Sequence, residues 1–389
     1  MTHAETSSAN AGASRPLVVM LLTNDFVSDP RVEKEAVALV GAGWDVTVLA
    51  WDRAGKAPAR ERRSGINIER LGPQATHGSG PRALPRYREF WRLASARAIA
   101  LAPQVVHCHD MDTVPAGLSA VKESSAKLVL DFHELYRASR VVPRMPVVGD
   151  LVTAGVDRVE ARGLARADLV VLAWPGMSER YETRFDGPVV VVDNAPDLDR
   201  FSPDSAPRGN RPFDVCYIGQ KRYVASLELL MEIVQRHQDM SCFLAGGGVG
   251  EQRVAEFAAG KQRVDVTGRV LYEEIPALYR GRDCVYTLYD AAVGNARIHM
   301  PVKVMEGMAC GLPVIVSEGT WVGAYVERER IGLAVDPAYS SAVEAALVRL
   351  KDDPALAAEM GARGRAIVEA SLNWGAAAGR LVAAYEGLR

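Results

Sequence analysis

The chain has 389 residues, with 46 Lys+Arg against 48 Asp+Glu, a net charge of −2 and a hydrophobic fraction of 48%. At roughly 150 residues per domain, this length suits two or three domains, and the apolar content is too high for a disordered chain. The charge balance argues against a nucleic-acid protein held by bulk positive charge. The five cysteines, Cys108, Cys216, Cys242, Cys284 and Cys310, are scattered, odd in number and without a C-x-x-C, which points away from a disulfide framework or a zinc site. Residues 1–15 are small and polar and read as a disordered tail with no apolar secretory segment. No apolar run approaches the length of about 18 residues that spans a bilayer, so the expectation is a cytoplasmic protein.

The first predicted strand is Leu17 to Thr23 (LVVMLLT), an unbroken apolar run of the kind found in parallel strands covered on both faces. A helix follows. Asp29 suits its N-cap, Pro30 its first helical position, and Ala36, Leu39 and Val40 form an apolar stripe. Gly41 and Gly43 stop it, and Asp45 to Trp51 (DVTVLAW) is the next strand, completing a strand–helix–strand unit. Ile66–Arg70 reads as a short strand and Pro85 to Leu101 as a helix with arginines on its polar face. Gln104–His107 is a strand that runs into His107-Cys108-His109-Asp110. Lys127–Phe132 is a strand ending at His133-Glu134, Val156–Ala167 a helix, and Leu169–Leu172 and Val189–Val192 are strands. The Pro/Gly/Ser-rich stretch Ser202 to Pro212 marks a domain boundary.

The alternation then restarts. Strand Asp214–Ile218 leads into Gly219-Gln220-Lys221-Arg222 and a helix near Ala225–Gln235. Strand Ser241–Ala245 leads into Gly246-Gly247-Gly248, which is either a close-approach loop or a plain turn. Strand Val264–Val266, helix Ile275–Arg280, strand Cys284–Leu288, helix Val302–Cys310 and strand Pro313–Val316 follow. Two such runs predict an α/β chain of two Rossmann-like doubly wound domains facing across a cleft. The expected division is 16–205, 206–372 and a C-terminal helix over 373–389 packing back on the first domain.

A dehydrogenase of this class needs G-x-G-x-x-G after an early strand, and the first strand here runs into Thr23-Asn24-Asp25-Phe26. Gly246 to Glu251 fails the pattern at Glu251, and no P-loop occurs. His107 and His109 fall on one face of their strand by alternation, but no third ligand cluster lies near them in sequence, so no metal is assigned. Arg31 has two readings, a phosphate contact or a pair with a nearby acid. The arginines of Pro81–Arg97 read as a solvated helix face, with weak peripheral contact to an anionic membrane as the alternative.

The stretch Met305-Glu306-Gly307-Met308-Ala309-Cys310-Gly311-Leu312-Pro313-Val314-Ile315 resembles the signature of retaining GT-B glycosyltransferases, and Pro301-Val302-Lys303-Val304-Met305-Glu306 is similar to the P-x-K-x-x-E subgroup of glycosyltransferase family 4. Asp29-Pro30-Arg31-Val32, Val106 to Asp110, Asp131-Phe132-His133-Glu134, Asp193-Asn194-Ala195-Pro196-Asp197, Thr267-Gly268-Arg269-Val270 and Trp374 agree in order. The resemblance spans about residues 17–389. It implies a hexosyltransferase that needs no obligatory cofactor beyond its nucleotide diphosphate sugar, with a UDP-sugar favoured. Glu306 then binds the ribose, the amides of Val302 and Lys303 the diphosphate, and Gly268, Arg269 and Val270 the base edge. Gly219, His299 and Asn295 complete the donor side. Lys221 and Arg222 neutralise the leaving diphosphate, and His133 lies beside the transferred sugar. Asn24, Asp25, His109 and Asp110 fall on the acceptor side. The expected acceptor is a natural product, another small molecule or a lipid-linked envelope component, and the oligomeric state is open. The family's usual motif places a further glutamate eight positions before Glu306, where this chain has Ile298. Asp290, Asn295 or His299 are the residues that could substitute. That departure keeps two rivals alive, a non-catalytic partner or activator protein and a nucleotide-sugar epimerase.

Overall fold

The computed structural model describes residues 15–75, 83–136, 146–204, 209–290 and 294–389. The tail expected over 1–15 therefore lies outside the described residues except for Arg15, and so do Arg82 and part of the expected boundary at 202–212. The chain divides into two compact units. One comprises residues 1–130, 159–169 and 384–389, the other residues 131–158 and 170–383.

Fourteen strands are seen among the described residues. The first eight are β1 (Leu17–Leu22), β2 (Asp45–Trp51), β3 (Arg60–Arg63), β4 (Ile66–Leu71), β5 (Val105–His109), β6 (Lys127–Phe132), β7 (Leu169–Leu172) and β8 (Val189–Val191). They form a sheet of order β3-β4-β2-β1-β5-β6-β7-β8. The pairings of β1 with β2 and β5, of β2 with β4 and of β7 with β8 are parallel, and β3 joins β4 antiparallel. The remaining six are β9 (Phe213–Ile218), β10 (Met240–Ala245), β11 (Val264–Val266), β12 (Cys284–Thr287), β13 (Val314–Ser317) and β14 (Gly332–Val335). Their order is β11-β10-β9-β12-β13-β14, all parallel. Both sheets reverse direction at an internal strand, so both are doubly wound, as the two runs of alternation predict.

Local chemistry places the elements. Asp29 caps the helix Pro30–Gly41, its Oδ1 accepting from the Val32 amide at 3.2 Å. In the second sheet, Phe213, Val215 and Tyr217 of β9 pack with Leu230, Met231 and Val234 of helix Val224–Arg236 in a buried core.

Four features depart from expectation. β3 is all charged (Arg60-Glu61-Arg62-Arg63), which hides it from an apolar-pattern search yet suits a solvated sheet edge. Helix Val114–Lys122 carries a mid-helix glycine, normally a breaker, because a Cβ at Gly117 would lie 2.1 Å from Cys108 Sγ. Helix Pro146–Leu164 starts ten residues before the expected Val156. Beyond β13 the structure adds helix Trp321–Glu329, strand β14 and helices Ser340–Asp352 and Pro354–Ala370, before the expected final helix begins at Trp374.

The Gly117 contact yields a test of packing. Gly117→Ala is expected to destabilise the unit by about 1–3 kcal/mol through overpacking. Adding Cys108→Ala removes the clashing sulfur and should recover part of the loss. Denaturant titration of the single and double variants measures both.

Candidate functional site

Open α/β sheets bind ligands beyond the carboxyl ends of their strands, where the strand order reverses. In the second sheet that point lies between β9 and β12. Residues 219–223 leave β9 and residues 288–290 leave β12. A cavity of about 880 Å³ opens there, with Arg222, Tyr223, Tyr289, Asp290, Glu318 and Asp336 in its wall.

The loop after β9 is tied down from below. Lys221 has no exposed surface, and its Nζ donates to Gly246 O and to Thr267 O, both at 2.5 Å. It thereby joins the chain ends of β9, β10 and β11. The glycine run makes this approach feasible. A Cβ at Gly246, where φ is +116°, would lie 2.2 Å from Gly219 O, and one at Gly250 would lie 2.5 Å from Lys221 O. Gly246–Gly248 is thus a close-approach loop, and its partner is the backbone of residues 219–221. Burial pushes the Lys221 ammonium below the ordinary lysine range. The expected role of Lys221 as a cation for a leaving group meets this geometry: its ammonium is already engaged by two carbonyls.

Lys303 brings a second ammonium against the same loop. Its Nζ donates to Tyr289 Oη at 3.0 Å and sits 4.5 Å from the Tyr217 ring centroid. It also lies against Gly219, where a Cβ would be 2.9 Å from Lys303 Cε. Arg222 is exposed, its Nε donating to Gln220 Oε1 at 2.7 Å. Burial, and then the nearby charges of Lys303 and Arg222, push the His299 imidazole down to about 4. His299 precedes Lys303 by four residues on the segment that enters helix Val302–Ala309. Helix Val302–Ala309 starts there after Pro301, with no side chain capping its first amides. Val302 and Lys303 are its first residues, so unsatisfied N–H groups and the positive helix end add to the cations.

Glu306 is on the same helix, one turn on. It is only 4% exposed, which excludes a solvated helix position, and its Oε2 accepts from the buried Tyr279 hydroxyl at 2.8 Å. Gly268 abuts Glu251, whose Oε1 would lie 2.6 Å from a Cβ there, and its carbonyl accepts from the Gly246 amide at 3.0 Å. Arg269 is exposed beside Gly247, and Val270 is half-buried.

A second group comes from residues 131–134 and 174–176 of the same unit. His133 Nε2 lies 2.9 Å from Asp131 Oδ2, and Asp131 is fully buried. An ionised carboxylate only accepts, so against an ionised Asp131 it is Nε2 that donates. Asn295 Nδ2 donates to Glu134 Oε2 at 3.1 Å. The His299 ring meets the Trp174 ring edge-on at 4.9 Å, and a Cβ at Gly176 would lie 2.9 Å from Ile298 O. The loop carrying Asn295, Ile298 and His299 is thus docked at three points.

Two family models match the chain: "Glycosyl transferase 4-like domain" over residues 28–195 and "Glycosyl transferases group 1" over residues 200–367. The chain belongs to the GT-B-fold glycosyltransferases of the family 4 type. Among curated relatives it is 27% identical over 243 residues to a GDP-mannose-dependent alpha-(1-6)-phosphatidylinositol monomannoside mannosyltransferase of Mycolicibacterium smegmatis, covering 57% of this chain and 63% of that one. The corresponding Mycobacterium tuberculosis protein is 27% identical over 55% of this chain and 60% of that one. The chain thus spans less than two thirds of the length of these relatives. Among solved structures, sucrose-phosphate synthase from Thermosynechococcus elongatus superposes with a TM-score of 0.78 at 22% identity, over 96% of this chain and 99% of that one. Anabaena HepE in complex with UDP-glucose gives a TM-score of 0.69 at 14% identity, over 96% and 100%.

In this GT4-type chain the residues expected on the acceptor side all lie in the other unit. Asn24 bonds Asp29 Oδ2 and the Phe26 amide, and Asp25 bonds the Val27 amide. Both build the turn after β1. His109 is fully buried and stacks on His107 at 4.3 Å, so it does not line a surface. Asp110 adopts φ +63° and accepts from Thr113 Oγ1 at 3.0 Å, closing the turn into the next helix. Glu35, His107 and His109 bring ligand atoms within 4.8 Å of one another, but Arg31 pairs with Glu35 at 3.0 Å and Tyr385 Oη bonds His107 Nδ1 at 2.6 Å. These contacts draw the buried Arg31, Glu35, His107 and Tyr385 together. Among the described residues no helix is long and apolar enough to cross a membrane.

The residues that sequence reasoning missed are partners: Asp131, Trp174, Tyr217, Tyr279 and Tyr289. Asp131 alone had a signal, its place two residues before His133 on one strand.

Two predictions follow from the Lys221 clamp and from His299. Lys221→Met leaves two buried carbonyls without a donor, at about 1–3 kcal/mol each, and Gly246→Ala should destabilise the same unit, both read by thermal unfolding. His299 titrates at about 4 in the fold and 6.5 in the free side chain. The unfolded chain therefore binds the extra proton across that window, and stability rises with pH through it. His299→Gln should flatten this slope in unfolding titrations at pH 4.5 to 7.

Proposed function

We propose that the chain is a retaining hexosyltransferase, moving a sugar from a nucleoside-diphosphate sugar to a hydroxyl of a small-molecule or lipid-linked acceptor. The observation that carries this reading is Lys303, held on the Tyr289 hydroxyl and against Gly219, at the uncapped start of helix Val302–Ala309, one turn before buried Glu306, with Arg222 in the wall of the cavity. A departing nucleoside diphosphate gains negative charge as the glycosidic bond breaks. Fixed cations and amide dipoles placed there stabilise it more in the transition state than in the ground state. The leaving charge is met by this chain's own side chains, so the reading calls on no metal ion.

Glu306 would accept hydrogen bonds from the ribose diol, and Gly268, Arg269 and Val270 would offer backbone to the base. Lys303 takes the part expected of Lys221, which acts as a positioning residue by holding the loop that carries Gly219 and Arg222. His133, oriented by Asp131, would contact the transferred sugar. Retention follows from kinship to the family. The curated relatives are named for GDP-mannose and the HepE structure holds UDP-glucose. Backbone readout of a base tolerates either, so these two donors are tested first, beside the UDP-sugar favoured from sequence.

Calorimetric titration of UDP, GDP, dTDP and NAD onto wild type and Glu306→Ala tests the reading. One nucleoside diphosphate should bind, with affinity about 10- to 100-fold weaker in the variant, the loss of hydrogen bonds to a charged group. NAD should not bind. Folded wild type that binds no nucleoside diphosphate would sink the donor site and bring the non-catalytic partner protein forward.

A further inference from the structure

We propose that Arg200 is a positioning residue for the nucleoside half of the donor, setting the base-edge segment through Tyr272 while its neighbour Phe201 backs the partner of Glu306; this rests on the donor reading above. Two stretches of the second unit lie side by side, residues 200–204 and residues 272–281. They meet at three points, in the same order along both. Arg200 meets Tyr272, Phe201 meets Tyr279, and the Asp204 carboxylate accepts from the Gly281 amide at 2.9 Å.

The first contact is double. Arg200 Nη2 donates to the Tyr272 carbonyl at 3.1 Å, and the guanidinium carbon sits 4.6 Å from the Tyr272 ring centroid. A planar fork can hold a carbonyl and cover an aromatic face at once. Tyr272 stands two residues beyond Val270, where the segment assigned to the base edge ends. That segment leaves β11, a strand of only 3 residues, and enters a turn closed by the Leu271 amide on Glu274 Oε2 at 2.8 Å. Backbone readout of a base needs the amides and carbonyls held in place, and Arg200 grips the chain where the strand no longer does.

The second contact reaches the ribose carboxylate. Phe201 is fully buried, with its ring 6.1 Å from that of Tyr279, whose hydroxyl donates to Glu306 at 2.8 Å. One dipeptide thus backs both the base edge and Glu306. It is anchored in turn. The Arg200 and Phe201 amides donate to Asp197 O at 3.1 and 2.9 Å. Arg365 Nη1 donates to Phe201 O at 2.9 Å and to Ala309 O at 2.6 Å, at the end of the helix that carries Glu306. Groups set before the ligand arrives lose less freedom on binding, so the strap favours affinity without touching the ligand.

The test separates local positioning from general stability. UDP, GDP and dTDP are titrated calorimetrically onto wild type, Arg200→Ala and Arg200→Lys, and amide exchange of the ligand-free proteins is followed by mass spectrometry. In Arg200→Ala the amides of residues 268–274 should exchange about fivefold faster or more, while those of helix Val224–Arg236 stay within about twofold of wild type. The nucleoside diphosphate that wild type binds should bind about fivefold more weakly or worse, as expected for a lost hydrogen bond and a lost cation–π contact. Arg200→Lys keeps a cation for the ring but not the fork, so it should show smaller losses in the same segment, and it takes the place of Arg200→Ala if that variant does not fold. The inference is overturned if exchange over residues 268–274 is unchanged, or if that segment loosens while nucleoside diphosphate binding stays within about twofold. It is overturned equally if helix Val224–Arg236 loosens in step, the mark of a purely structural strut. Failure of wild type to bind any nucleoside diphosphate would instead remove the donor site itself, and this inference with it, whatever the exchange shows.

Discussion

The candidate site depends on a buried ammonium. Lys221 Nζ bridges carbonyls from two neighbouring strand ends, Gly246 O and Thr267 O, under the loop that leaves β9. A buried charge is tolerated only when its donors are satisfied, and an unsatisfied carbonyl is costly in the same place. The two needs answer each other here. The close backbone contacts around it require glycine at 246 and 250, because a side chain at either position would collide with residues 219–221. With the loop fixed, Gly219 lies against Lys303 and Arg222 is presented at the cavity wall.

The charges of the unit include cations and carboxylates, each with its own partners. Lys303 lies at the start of helix Val302–Ala309, and burial, followed by the nearby charges of Lys303 and Arg222, pushes the His299 imidazole down to about 4. Carboxylates have specific partners: Glu306 the Tyr279 hydroxyl, Asp131 the His133 ring and Glu134 the Asn295 amide. On the proposed donor reading, an anionic group would meet the cations and hydroxyls would meet the carboxylates. Preorganisation of that sort is what electrostatic catalysis needs, since nothing has to reorient as charge develops.

The first unit gathers similar groups in its interior. Stacked His107 and His109, the Arg31–Glu35 pair and the Tyr385 hydroxyl form a buried polar core. Each member is supplied by a different stretch of chain, β5, the first helix and residues 384–389, so the group ties sequence-distant segments of that unit together. His-Cys-His-Asp looks like a functional cluster in sequence, and its burial shows why a motif alone does not separate a site from a core.

The sequence by itself determined the alternation of strands and helices, the parallel doubly wound sheets, the Asp29 cap and the signature around Glu306. Apolar runs, caps and glycine stops are local, and local patterns read directly into local structure. It could not see β3, whose charges suit an edge, or the helix at 114–122, whose glycine is demanded by Cys108. Nor could it tell Lys221 from Lys303. Both are lysines next to a strand or helix end, but one points under a loop at two carbonyls and the other lies against Gly219. Only the tertiary structure decided which cation is engaged and which carboxylates are held in place. Those outcomes depend on partners 14 to 161 residues away in the chain, such as Tyr289 for Lys303 and Asn295 for Glu134. Contacts over such separations are fixed by packing, which local patterns do not encode.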